Sequence, residues 1–359
     1  LQKIKEFVRK NETRLEIGFF VAGVLVDIIM LPKPDDLISI IQQIVYLGLI
    51  YLILHYELLR QINAWVPGPK MAKYWENHRL ILHFLMGSIL NLYSLFFIKS
   101  ASLFSSIIFL FVMGAIVVGN ELPMFKKSNA SFKIAVFVLC VFSFFSILTP
   151  VLMGYVGYIP LAVAIAATAL IVYLMFKHLN SKIKDPRLTM QSILAPSFTV
   201  MGLFIAFYFM GWIPPVPISV KEQAIYHNIT KENGQYKLFH QKPWWKFWEN
   251  GDETFLAQSG DSIYYYAQIY SPANFNDQVF VVWSFLNAKG NWEIGDKIPI
   301  NISGGREQGF RGYTYKSNYQ EGKWRVQLVS RIGQEISRLY FEVSKVEPDP
   351  NRVFDFELR

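Results

Sequence analysis

Apolar positions run in long unbroken blocks over the first 213 residues, and from about residue 222 they alternate with polar ones. A helix needs about 20 apolar residues to cross a hydrocarbon core of about 30 Å. Blocks of that kind lie at 15–31, 37–59, 79–98, 102–119, 132–153, 158–179 and 190–213, which predicts seven transmembrane helices. The first is short and carries Asp27. Pro32, Pro34 and Pro150 fall at helix ends, and Pro160 suits a first turn. Pro196 lies inside the last block and is expected to kink it near its start. Ahead of the blocks, Leu1, Ile4, Phe7 and Val8 recur at helical spacing among Lys and Arg, so residues 1–14 read as an amphipathic helix on the inner leaflet.

Beyond a linker at 214–221 the period becomes two. Strands are expected at 222–230, 262–270, 278–287, 297–302, 309–317, 323–330 and 335–343, separated by turns such as Ala288-Lys289-Gly290-Asn291 and Glu321-Gly322. Short strands at this spacing predict an antiparallel, immunoglobulin-like β-sandwich over 222–345, with 346–359 as a C-terminal tail. Trp324, Val326, Leu328, Phe341 and Val343 share faces of their strands and are core candidates.

Charge gives the helices a direction. Residues 1–14 and the loops around 60–79, 126–133 and 177–187 hold nearly all the Lys and Arg of the apolar part, and the alternate loops hold only Lys33 and Lys99. Positive charge stays on the cytoplasmic side. The N-terminus is therefore expected in the cytoplasm, with an odd number of spans and residues 216–359 outside, in the periplasm of a Gram-negative host. The first block shows no small-residue cleavage pattern and is expected to act as a signal anchor.

Composition narrows the class. With 17% charged and 52% hydrophobic residues, the 359-residue chain has too little polar material for a cytosolic enzyme or a disordered chain. The net charge of +8 is spread over short loops of the apolar part, whereas the β part is neutral, which argues against a nucleic-acid partner. Cys140 is the sole cysteine and lies in the fifth block, so the β part folds by packing alone.

The run Trp292, Gly295, Ile298, Ile300, then Gly305-Arg306, Gly309-Phe310-Arg311-Gly312-Tyr313, Gly322-Lys323-Trp324-Arg325-Val326 and Phe341-Glu342-Val343 resembles the C-terminal module of a bacterial envelope family. That family is catalogued as domain of unknown function 2914 and often follows several transmembrane helices. The resemblance covers about residues 222–345 and implies a small β-sandwich outside the membrane. It carries no catalytic residues over.

Two groups of residues stand out chemically. Trp244, Trp245, Phe247 and Trp248 crowd a loop between strands. They are read as a contact for another protein or for the membrane interface, where Trp is enriched. Stacking on a glycan and simple plugging of the sandwich end are the alternatives. Polar residues are costly in lipid, and His55, Glu57, His83, Glu121 and His178 all fall near the cytoplasmic boundary as a possible intramembrane polar cluster. They lack HExxH or ExxH spacing, so no metal site and no cofactor are expected. The glycine run 303–309 lacks the ending of a nucleotide loop and reads as a hairpin turn. No nucleophile elbow accompanies His227 and His240.

These readings point to a non-enzymatic inner-membrane protein. Its periplasmic β-sandwich is expected to serve as a binding module, in an accessory or scaffolding subunit of an envelope complex. Its expected partners are membrane lipids and other envelope proteins. The alternative is a membrane-embedded enzyme or transporter acting on a lipid or lipid-linked glycan through the His/Glu group.

Overall fold

The computed structural model describes residues 28–121, 129–182, 186–306 and 308–359. The amphipathic segment 1–14 and most of the first apolar block lie outside the described residues. The helices are α1 (Leu37–Gln61), α2 (Pro69–Trp75), α3 (His78–Lys99), α4 (Leu103–Glu121), α5 (Ala130–Met153), α6 (Tyr158–Asn180), α7 (Pro186–Thr189) and α8 (Ala195–Phe209). A π-helical turn, Met190–Leu194, joins the last two. Among the described residues, 6 helical stretches are long and apolar enough to cross a membrane.

Local chemistry sets the helix starts. Asp36 accepts from the Ser39 amide at 2.8 Å and Asn129 from the Phe132 amide at 3.3 Å, each satisfying a first-turn donor. Pro196 has no N–H to give, and its ring would crowd the carbonyl of Ser192 in a regular helix. The chain widens instead, with the Ala195 amide bonding Met190 O five residues back. The expected kink is thus a π turn. Helix α5 is the hub, 78% buried over its most apolar stretch, whereas α1 and the stretch Met190–Phe209 are each 28% buried over theirs. Their outer faces carry exposed Ile38, Ile41, Phe198 and Leu203.

The β strands are β1 (Ser219–Tyr226), β2 (Asn228–Glu232), β3 (Gln235–His240), β4 (Thr254–Ala257), β5 (Ile263–Tyr270), β6 (Asn276–Leu286), β7 (Trp292–Ser303), β8 (Phe310–Lys316), β9 (Gly322–Ser330), β10 (Glu335–Lys345) and β11 (Asp355–Leu358). They form three sheets, ordered β4-β10-β9-β6-β7, β1-β5-β8 and β11-β3-β2. Trp283, Val281, Val326, Leu328 and Phe341 of the five-stranded sheet join Ile225, Tyr265 and Ile269 of the second sheet in one core. Trp324 and Val343 are buried there too.

The third sheet departs from the pattern expected of the sequence, and it changes the reading of several residues. Segment 222–230 is not one strand. It breaks at His227, whose amide bonds Phe239 O, and β2 turns away to pair with β3. The tail at 346–359 ends in β11, which pairs with β3, and Arg359 exchanges backbone bonds with Tyr236. This sheet covers the far face of β5, so Tyr265 and Tyr266 are both fully buried, one in each core, against the expected alternation. Not every pair is antiparallel either. β4 runs parallel to β10, because strands so far apart in sequence are under no hairpin constraint.

The glycine run is not a hairpin turn. It carries the chain from β7 at the edge of the five-stranded sheet to β8 at the edge of the three-stranded one. A Cβ on Gly304 would lie 1.6 Å from Pro272 O, a backbone atom that has nowhere to go. Gly304→Ala is expected to destabilise the β region by about 2 kcal/mol. Thermal melts of the purified full chain followed by tryptophan fluorescence would check this.

Three loops at one end of the helices carry the β region. Asp35 accepts from Tyr270 Oη and from the Ala273 amide, each at 3.0 Å. Ser102 Oγ donates to Glu335. The Val156 amide donates to Asp277 at 2.9 Å, and the Asn276 amide to Gly154 O at 2.8 Å. Each loop thus makes polar contacts to strands or strand ends.

Candidate functional site

The tryptophan loop projects between β3 and β4 from a braced base. Gly251 packs so closely on β1 that a Cβ there would meet Ile225 O at 2.4 Å. Tyr226 Oη donates to Asn250 O at 2.8 Å. Lys242 Nζ donates to Glu249 O and, at 2.8 Å, to Glu357, while Lys246 pairs with Glu249 at 2.7 Å. On this base Trp244 is 89% exposed, Trp245 50%, Phe247 83% and Trp248 62%. None of the four plugs the β region. Trp245 leans on Trp248 at 5.9 Å and Phe247 on Trp248 at 5.1 Å, and Lys246 lies over the Trp245 ring at 5.7 Å.

Beneath the loop lies a buried polar group. Asp252, 3% exposed, accepts from the Gln241 amide at 2.9 Å and faces His227 Nε2 at 3.6 Å. Arg352 donates to the His227 ring and pairs with Asp261 at 2.6 Å. Burial pushes the Asp252 carboxyl up to about 7, against the pull of the Gln241 and Lys242 amides. Burial, helped by the Arg352 guanidinium, pushes His227 down to about 3. No pattern in the sequence signals this pairing, since β2, β3 and the C-terminal segment that assemble it are not legible there.

One side of the loop approaches the helix ends. Trp248 and Tyr340 line a common cleft. The Tyr340 ring meets Phe104 of α4 edge-on at 5.5 Å and Trp292 at 5.5 Å, and Arg338 lies over Phe104 at 4.9 Å. Phe104, second residue of α4, is 60% exposed. Aromatic side chains therefore run from the start of an apolar helix across the β region toward the loop.

The described polar residues at the other end of the helices take separate partners. The His55 and His178 rings meet at 4.8 Å. Glu57 is taken by Lys133 at 2.6 Å, with Arg79 at 4.0 Å. His83 is buried, with Asn120 bonding its carbonyl at 3.3 Å and neither ring nitrogen bonded to a described residue. Glu121 ends α4, and its side chain lies outside what is described. Among the described residues no three metal-ligating side chains converge. Lys133 belongs by sequence to a basic loop, yet it sits inside α5 and is 4% exposed. Its position within the apolar block 132–153 is the available signal that it needs a buried partner.

A family model described as a protein of unknown function (DUF2914) matches residues 276–343, from β6 into β10. No curated protein matches the chain. Among solved structures, an immunoglobulin-like protein from Pseudomonas aeruginosa is 9% identical, covering 36% of this chain and 98% of its own, with a TM-score of 0.22. A β-glucosidase from Kluyveromyces marxianus is 10% identical, covering 37% of this chain and 16% of its own, with a TM-score of 0.18. A Pseudomonas fluorescens alkylpurine DNA glycosylase bound to DNA is 8% identical over 87% of this chain and 99% of its own, with a TM-score of 0.20. At these TM-scores none of the three bears on the fold or the function of this chain.

Proposed function

We propose that this chain is a multi-pass protein of a bacterial inner membrane, with its N-terminus in the cytoplasm and seven transmembrane helices. They carry a periplasmic β-sandwich of immunoglobulin-like architecture, which acts as a binding module in an accessory or scaffolding subunit of an envelope protein complex. One observation carries the reading. The β region rests on the loops that hold Asp35, Ser102 and Val156, whose only basic residues are Lys33 and Lys99. The basic loops lie at the opposite ends of the same helices. By the positive-inside rule, the end that carries the β region is the one that faces out.

The tryptophan loop is the contact surface in this reading. Three tryptophans and a phenylalanine held open to water on a braced base have the chemistry of an interface hot spot. Trp248 shares a cleft with Tyr340, and Trp244 and Phe247 are the most exposed of the four. A photo-crosslinking residue at Phe247, in cells carrying the full chain, is expected to give a discrete protein adduct. Trp244→Ala with Trp245→Ala should reduce that adduct about thirtyfold, as for loss of about 2 kcal/mol. Lipid adducts alone, or an adduct indifferent to the replacements, would remove the loop from this account.

A second reading, an enzyme or transporter acting on a lipid or lipid-linked glycan, has the His83 ring in its favour, buried with both nitrogens unbonded to described residues. Glu57, neutralised by Lys133, speaks against a common His/Glu centre. A lost phenotype in a His83→Ala variant of normal abundance would favour this reading.

A further inference from the structure

A sheet edge left open invites a foreign strand, and native chains guard their edges. Among the described strands β7 ends the five-stranded sheet with Lys297, Pro299 and a bulge at Trp283 and Ser284 of its partner strand. β4 and β11 are 4 residues long and β2 is 5. The outer side of β1 is occupied where the Asp252 amide bonds Ile225 O. β8 is different. It closes the three-stranded sheet over 7 residues, Phe310–Lys316, with no proline and no bulge against β5. We propose that this edge takes up an extended acidic segment of a partner protein as an added strand. The inference rests on the reading of the β region as a binding module and gives it a second surface, apart from the tryptophan loop.

The phase of the ladder shows which backbone groups are free. In an antiparallel sheet the N–H and C=O of one residue point to the same side, and those of the next residue to the other. Ile225 O points outward from β1, so Ala224 and Tyr226 bond β5, at Tyr266 and Tyr264. Tyr265 and Ala267 of β5 therefore bond β8, at Thr314 and Gly312. Arg311, Tyr313 and Tyr315 direct their backbone groups off the edge. The Arg311 carbonyl accepts from Tyr236 Oη at 3.3 Å, and the rest have no partner among the described residues. Two residues apart, these groups are spaced as strand addition requires. The charged side chains of β8 are turned to the chain's own groups, Lys316 to Asp296 and Arg311 to Gly234 O at 3.4 Å. Tyr313 and Tyr315, 42% and 60% exposed, flank the edge on the face they share with Tyr264.

Charge selects the occupant. Lys231 and Arg311 lie over the Tyr236 ring at 5.4 and 5.6 Å, and neither forms a salt bridge to a described residue. Glu232 does not offset them, because Lys231 shares its face of β2 with the buried Ile229 and Glu232 is on the other face. Two cations beside the Arg311 end of the edge favour a segment with a carboxylate there. A second copy of β8 does not supply one, since Phe310–Lys316 holds Arg311 and Lys316 and no acidic residue.

A photo-crosslinking residue at Tyr315, in cells carrying the full chain, tests the proposal. The expected adduct is to another protein, through a peptide that contains Asp or Glu. Tyr313→Pro removes one outward N–H and no bond to β5, and should reduce the adduct about tenfold. Tyr313→Lys charges the edge with the backbone unaltered and should act in the same direction, so the test survives a proline variant that does not fold. Lys231→Gln with Arg311→Gln should also reduce the adduct about tenfold. Tyr313→Phe should leave it intact. No adduct, an adduct to a second copy of this chain or to lipid or glycan alone, or one indifferent to both the proline and the lysine variants would overturn the proposal. Trp244→Ala with Trp245→Ala should leave the Tyr315 adduct unchanged. A protein adduct from Phe247 with none from Tyr315 would remove the edge and keep the binding module, so the two failures are separately readable.

Discussion

Replacing Lys133 with methionine is expected to cost the helical region about 3–5 kcal/mol. Lys133 is 4% exposed and Glu57 7%, and their side chains meet at 2.6 Å on α5 and α1. Each charge has left water for the interior of the bundle, and each is tolerable there because of the other. The methionine fills the volume of the lysine stem but leaves the Glu57 carboxylate with Arg79 as its ion-pair partner among the described residues, the Nε 4.0 Å away. One oxygen of Glu57 already has no partner among the described residues, so nothing is in place to take over. Adding Glu57→Gln removes the stranded charge and should recover most of the loss, since apolar or neutral replacement of both partners of a buried pair is often nearly neutral. The double-mutant cycle, read as thermal stability of the full chain in detergent, isolates the pair. Additive losses would mean that the two residues act separately.

That pair also shows where sequence reasoning stops. The ends of α1, α3, α5 and α6 fall within two residues of the apolar blocks that predict them, because polar residues bound each long apolar run and Asp36 and Asn129 mark starts chemically. The long strands are legible for a similar reason: Trp324, Val326 and Leu328 are buried at every second position of β9, with Arg325 and Gln327 between them. β3, β4 and β11 are not. They are four to six residues long. A two-residue period over such a length is weak, and β11 pairs with β3 from more than a hundred residues away. The tryptophan loop is visible as composition, and the structure adds its exposure.

The buried group below the tryptophan loop should reveal itself through a pH dependence that the intact chain conceals. In the folded chain His227 titrates at about 3 and Asp252 at about 7, against ordinary values of 6.5 and 3.8. Between roughly pH 4 and 6.5 both are neutral in the folded state, and the pair holds one proton, on Asp252. Unfolded, Asp252 is ionised and His227 is protonated, so the pair again holds one proton. Stability depends on pH only where the two states bind different numbers of protons, so the pair contributes no slope over that range. Asp252→Asn removes one side of the balance. The asparagine oxygen can still accept from the Gln241 amide, and its amide can face His227. What remains is a histidine that is neutral when folded and charged when unfolded. The variant should therefore lose stability as pH falls from roughly 6.5 toward 4, by about 1.4 kcal/mol per unit. His227→Phe leaves only the raised carboxyl, and its stability should fall as pH rises from about 4 to 7, a total of about 4 kcal/mol. The neighbouring charges, Arg352, Lys242 and Asp261, are common to all three proteins. Denaturation of the full chain, followed by hydrogen exchange in β1 and β4 across roughly pH 4–8, reads these opposed slopes. Parallel pH profiles in the intact chain and both variants would show that Asp252 and His227 titrate in the folded protein as they do in water.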